Sequence, residues 1–77
     1  METAAVKALI EAGMPDARVD VSGDGRHFEA TVVSPSFEGK SLIQRHRMVM
    51  ATVQAQIASE ELHALSIKAY TPDQAPG

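Results

Sequence analysis

One stretch constrains the fold more than any other: residues 41–59, SLIQRHRMVMATVQAQIAS, the longest helical pattern in the chain. Leu42, Val49, Met50, Val53 and Ile57 recur at the spacing of a helix with one buried stripe. His46 falls inside that stripe, and Arg45 and Arg47 flank it. Alternating segments stand on both sides of the stretch. A helix of this length between two strands can cross over and set them parallel.

The rest of the chain follows from shorter signals. Residues 3–12 predict a first helix, with Ala5, Val6, Leu9 and Ile10 on one face. Lys7 and Glu11 pair on the solvent side. Thr3 is placed to cap this helix, Gly13 to end it in left-handed backbone, and Pro15 to prevent its resumption. Residues 17–22 alternate, with Ala17, Val19 and Val21 on one side, and residues 27–33 alternate with Phe28, Ala30 and Val32 on one side. Gly23-Asp24-Gly25 between them is a hairpin turn signal. Pro35 ends the second strand, and residues 34–39 read as a short helical turn closed by Gly39, with Phe37 tucked into the core. Ser41 with Gln44 three residues on matches a capping box. Residues 62–71 alternate again, as a third strand ended by Pro72. A single domain over residues 1–72 is expected, with residues 73–77 as a disordered tail. The fold class is α+β, a three-stranded mixed sheet with helices on one face.

Composition narrows the function classes. Seventy-seven residues with 44% hydrophobic and 22% charged content make one ordinary globular domain. The net charge of −3 disfavours a general nucleic-acid binder, which normally carries a basic footprint. Without cysteine the chain has no disulfide, thiolate ligand or thiol nucleophile. The first residues are too short and too interrupted by Lys7 and Glu11 for a signal peptide or membrane span, so a cytoplasmic protein is expected.

His27, His46 and His63 are the side chains that titrate near neutrality or suit a borderline-soft metal. No His-x-x-x-His pair brings them together locally, and each alone is more often structural or solvated than a ligand. His46 has the best structural case, among Leu, Val, Met and Ile on a helix face. Lys40, Arg45 and Arg47 form a small basic spot, which is either a solvated face or a holder of phosphate, carboxylate or nucleic-acid backbone. The glycine turn joins two strands and lacks the phosphate-loop pattern. No nucleophile–base pair is visible, so an enzyme is the least supported class.

Three segments carry a resemblance: SGDGRHFEATVVS, FEGKSLIQRHRMV and LHALSIKAYTP. In them stand Phe37-Glu38-Gly39, Arg45-His46-Arg47, His63-Ala64-Leu65 and Thr71-Pro72. Over residues 22 to 72 the chain resembles the BolA family, and its SGDG turn and SIKAYTP ending look most like the bacterial subgroup named for acid stress. The resemblance implies a class II KH-like fold, α-β-β-α-α-β. It also implies a partner, a monothiol glutaredoxin, sharing a [2Fe–2S] cluster to which glutaredoxin cysteine and glutathione bring sulfur and this chain brings imidazole. The family's histidine ligand maps onto His63. Its second ligand, in the loop between the first two strands, maps onto His27, with Asp24 as the alternative or the position left open. Strand parity gives the rings of His27 and His63 no reason to converge. Alone, the protein is expected to be a monomer or weak homodimer without cofactor. The competing implication of a KH-like fold is a DNA-binding regulator using Lys40, Arg45 and Arg47. Against it, Glu38-Gly39-Lys40-Ser41 lacks the KH Gly-x-x-Gly. A structural adaptor is the third possibility.

Overall fold

The structure, a computed structural model, describes residues 1–76. Its sheet has the order β1-β2-β3. Strand β1 (Arg18–Gly23) pairs antiparallel with β2 (His27–Val33), and β2 pairs parallel with β3 (Ala64–Tyr70). The parallel pairing is the arrangement expected from a helical crossover. Register puts Val19 opposite Val32 and Val21 opposite Ala30. It also puts Phe28, Ala30 and Val32 opposite Leu65, Ile67 and Ala69. Strand alternation places these residues on one face of the sheet, where Phe28, Ala30 and Val32 are buried. The opposite face carries Asp20, Ser22, Glu29, Ser66 and Lys68, all exposed.

Helix α1 (Thr3–Gly13) buries Val6 and Ile10, one turn apart. Two details differ from expectation. Thr3 is the first helical residue rather than the cap, and no side chain caps the start at Glu2. Gly13 is absent from the residues with positive φ; the helix closes instead through the Met14 N–H on Ile10 O at 2.8 Å. Glycine at 13 serves a close approach. A Cβ there would lie 2.5 Å from Thr52 Cγ2 and 2.9 Å from Thr52 Cβ.

After β2, Ser34 accepts from the Ser36 N–H and starts a 3-10 turn, Pro35–Phe37, whose Phe37 ring is fully buried. Gly39 follows with φ 73°, which a side chain would strain. The capping box forms as expected: Ser41 Oγ accepts from Gln44 N–H, and Gln44 Oε1 accepts from Ser41 N–H.

The expected single helix is two. Helix α2 spans Leu42–Thr52 and α3 spans Gln54–Ala58, with Val53 between them at φ −122°, ψ 17°. The cause is local. Thr52 Oγ1 donates to Val49 O at 2.6 Å, and the Val53 N–H bonds Met50 O, three residues back, at 3.1 Å. A threonine hydroxyl that takes a helical carbonyl competes with the backbone ladder and bends it.

The buried stripe of α2 is also rotated from the expected one. Arg45, Val49 and Val53 point inward at four-residue spacing, while Leu42 is 75% exposed and His46 is exposed. The expected tail is partly ordered: Pro72–Gln74 form a second 3-10 turn. Thr71 Oγ1 donates to Asp73 Oδ1 at 2.6 Å, and the Gln74 N–H bonds Thr71 O at 3.0 Å. Gly77 lies outside the described residues.

Candidate functional site

The hairpin turn builds the first half of the site. Asp24 Oδ1 accepts from the backbone N–H groups of Arg26 and His27, at 2.9 and 2.8 Å. Gly25 supplies the left-handed residue, φ 94°. The His27 and Arg26 N–H groups, with the nearby His27 ring, hold the Asp24 carboxyl below its ordinary value of 3.8. Asp24 is therefore committed to bracing the turn, with Oδ2 4.0 Å from His27 Nδ1. His27 opens β2 with its side chain 79% exposed.

The crossover brings the second half. Beyond α3 the chain turns through Glu60 in left-handed backbone, φ 65°. Leu62 then plugs the core at 1% exposure, its N–H on Gln56 O at 3.1 Å. His63 follows directly, exposed and anchored by its buried neighbour. The first pair of the parallel register is His27 opposite Ala64, which sets His63 beside the start of β2.

Together His27 and His63 line one open groove of about 440 Å³, with Met1, Gly25, Arg26 and Glu61 on its other walls. The two residues share this groove although strand parity gives their rings no reason to converge. His63 precedes the strand, so alternation does not fix where its ring points. Among the described residues no group of three or more His, Asp or Glu side chains is placed to hold a metal ion. The rim thus presents two accessible imidazoles and no thiolate. Such a pair can complete a metal centre that a partner supplies with sulfur, and is too small a set to host one alone. Glu61 and Met1 belong to no sequence motif, and only the crossover brings Glu61 to the groove.

The basic spot does not survive as one surface. Arg45 is 8% exposed and points inward. Its Nε donates to Lys40 O at 3.0 Å, and its Nη1 to Ala69 O at 3.3 Å and Gln74 Oε1 at 2.9 Å. Its guanidinium carbon sits 5.9 Å from the Phe37 ring centroid. Arg45 is a structural residue that joins the start of α2, the end of β3 and the last 3-10 turn. Arg47 lines a groove with Met50, Ala51, Gln54 and Ile57, whereas Lys40 lines another with Ser41, Leu42 and Tyr70. His46, expected in the core, lines a third groove with Leu42, Ile67 and Tyr70. The roles of neighbours are exchanged: the arginine is packed and the histidine is presented. No helix among the described residues is long and apolar enough to cross a membrane.

Comparison with known proteins agrees with this architecture. The chain is 36% identical over 72 residues to the Escherichia coli acid stress protein IbaG, covering 94% of this chain and 86% of that protein. Its structure superposes on a bolA protein homologue from Coxiella burnetii with a TM-score of 0.86 at 44% identity, covering 95% and 94% of the two chains. It is also similar to yeast Fra2, with a TM-score of 0.77 at 32% identity over 95% and 82%. Residues 7–74 match the family described as BolA-like protein, and the chain belongs to that family.

Proposed function

We propose that this BolA-like protein is the imidazole-donating partner of a monothiol glutaredoxin, and that the two hold a [2Fe–2S] cluster between them in iron–sulfur trafficking or iron and stress regulation. One observation carries the reading: His27 and His63, from separate segments of the chain, line a single open groove whose donor set is incomplete among the described residues. The glutaredoxin cysteine and glutathione supply the thiolates that a cysteine-free chain lacks. Imidazole in place of thiolate raises the potential of such a centre. His63 is held out by its Leu62 anchor, and His27 is held at the strand start by the Asp24 brace. Because neutral imidazole must be unprotonated to ligate, acid weakens the assembly, which suits a relative of an acid stress protein.

The test mixes the protein with a cluster-loaded monothiol glutaredoxin and follows visible circular dichroism. The spectrum is expected to change with wild type, to lose that change with His63→Ala, and to be altered by His27→Ala. An unchanged spectrum, or wild-type behaviour of His63→Ala, removes the reading. The nucleic-acid alternative has lost the inward Arg45, which leaves Lys40 and Arg47 in separate grooves of an acidic protein.

A further inference from the structure

The outer edge of β3 offers a second surface, along the strand and away from the histidine rim. The groove between α2 and β3 is lined by Leu42 and His46 on one side and by four consecutive strand residues, Ile67 to Tyr70, on the other. Consecutive residues of both parities can border one groove only where the strand's edge lies open to it. The backbone fixes which groups face outward. The Ser34 N–H bonds Tyr70 O at 3.0 Å, so Tyr70 turns its backbone toward β2. Alternation then turns the backbone groups of Leu65, Ile67 and Ala69 outward. Arg45 occupies the last of these acceptors, Ala69 O. The N–H and C=O groups of Leu65 and Ile67, and the N–H of Ala69, remain as a short ladder without a strand beside it.

Two features state what such a strand must look like. Leu42, 75% exposed, and the half-buried Ile67 give the groove an apolar wall. The adjoining groove shares Leu42, Ala69 and Tyr70 with this one and adds Lys40 and Arg45. Lys68 stands on the strand itself, 3.5 Å from Glu29 on the neighbouring strand. Among the described residues no carboxylate lines either groove, in a chain with ten Asp and Glu residues and net charge −3. We infer that the β3 edge binds an extended acidic segment of a partner protein as a fourth strand, with apolar side chains in the Leu42–Ile67 groove and carboxylates toward Lys40 and Lys68. Main-chain bonds give such a complex its affinity and the alternate side-chain pockets its selectivity. Arg45 closes the ladder and so limits the added strand to the Leu65–Ala69 segment.

The test uses the full chain and two short acetylated peptides, one alternating glutamate with valine and one alternating lysine with valine, at up to millimolar concentration. The readout is amide hydrogen exchange of Leu65, Ile67 and Ala69 by NMR. The acidic peptide is expected to protect these three amides and the basic one to leave them unchanged. Leu42→Glu and Lys68→Glu, both at exposed side chains, are each expected to weaken the acidic peptide about tenfold. Absence of protection at the three amides, equal protection by both peptides, or indifference to both variants overturns the inference. Protection that rises with protein concentration without peptide also overturns it, because the occupant is then a second copy of the chain. None of these outcomes involves the histidine rim, so the cluster reading stands or falls separately.

Discussion

Replacing Arg45 tests the structure where it departs most from what the sequence suggests. The guanidinium donates to two backbone carbonyls and one side-chain amide, at 3.0, 3.3 and 2.9 Å, and lies over the Phe37 ring. A truncation to alanine takes this donor from Lys40 O and Ala69 O and leaves Gln74 Oε1 only the Thr71 N–H, at the join of three segments. At roughly 1 kcal/mol for each bond at a partly solvated margin, plus about 0.5 kcal/mol for the cation over the ring, Arg45→Ala costs about 3.5 kcal/mol. In a domain of this size that lowers Tm by about 15 °C. Arg45→Lys keeps the charge but not the planar fork, and costs about half as much. Arg47→Ala, at an exposed position two residues away, stays within about 0.5 kcal/mol of wild type. Urea denaturation followed by far-ultraviolet circular dichroism measures all three. A double-mutant cycle with Gln74→Ala isolates the 2.9 Å bond, with an expected coupling of about 1 kcal/mol. If Arg45→Ala costs no more than Arg47→Ala, or if the coupling vanishes, Arg45 is not the buried join described here.

Two further perturbations bear on other parts of the fold. Gly13→Ala brings a Cβ against Thr52, whose hydroxyl is already tied to Val49 O; despite alanine's better helix propensity it is expected to destabilise by about 1 kcal/mol, read as a lower urea midpoint. The carboxyls of Asp16, Asp24 and Asp73 are held below 3.8, chiefly by the Ser36 hydroxyl, the His27 N–H and the Thr71 hydroxyl respectively. With folded values depressed, the unfolded chain binds more protons in acid, so their stabilisation is present above pH 3.8 and is lost as pH falls through the folded values. Urea midpoints across that range are expected to drop for wild type and to drop less steeply for Asp16→Ala and Asp24→Ala; parallel curves refute the assignment.

The sheet was legible because its signals are local. Alternation at Val19, Val21, Phe28, Ala30 and Val32 records one buried face directly, and Gly-Asp-Gly records the turn. The face of α2 was harder to read, since periodicity scores apolar side chains and cannot count the carbonyls that draw Arg45 inward. The break at Val53 carries no glycine or proline and depends on one threonine hydroxyl. The last 3-10 turn has a local signal: Thr71-Pro72-Asp73 sets a hydroxyl residue before a proline, as Ser34-Pro35-Ser36 does. At the rim, the residue types at His27 and His63 were readable, but their sharing of one groove was not. It depends on where β3 begins and on Leu62 being buried, which are properties of the packed crossover.

That shared groove has a consequence for the order in which the molecule can assemble. The β1–β2 pairing joins residues near in sequence and closes a small loop, whereas β3 must wait for α2 and α3 to span the sheet before it pairs. His27 is thus set by contacts near in sequence, whereas His63 takes its place only when the crossover has packed. A chain whose third strand has frayed carries both histidines but not the groove. Any molecule that grips the two together therefore selects finished copies and, by mass action, holds them folded.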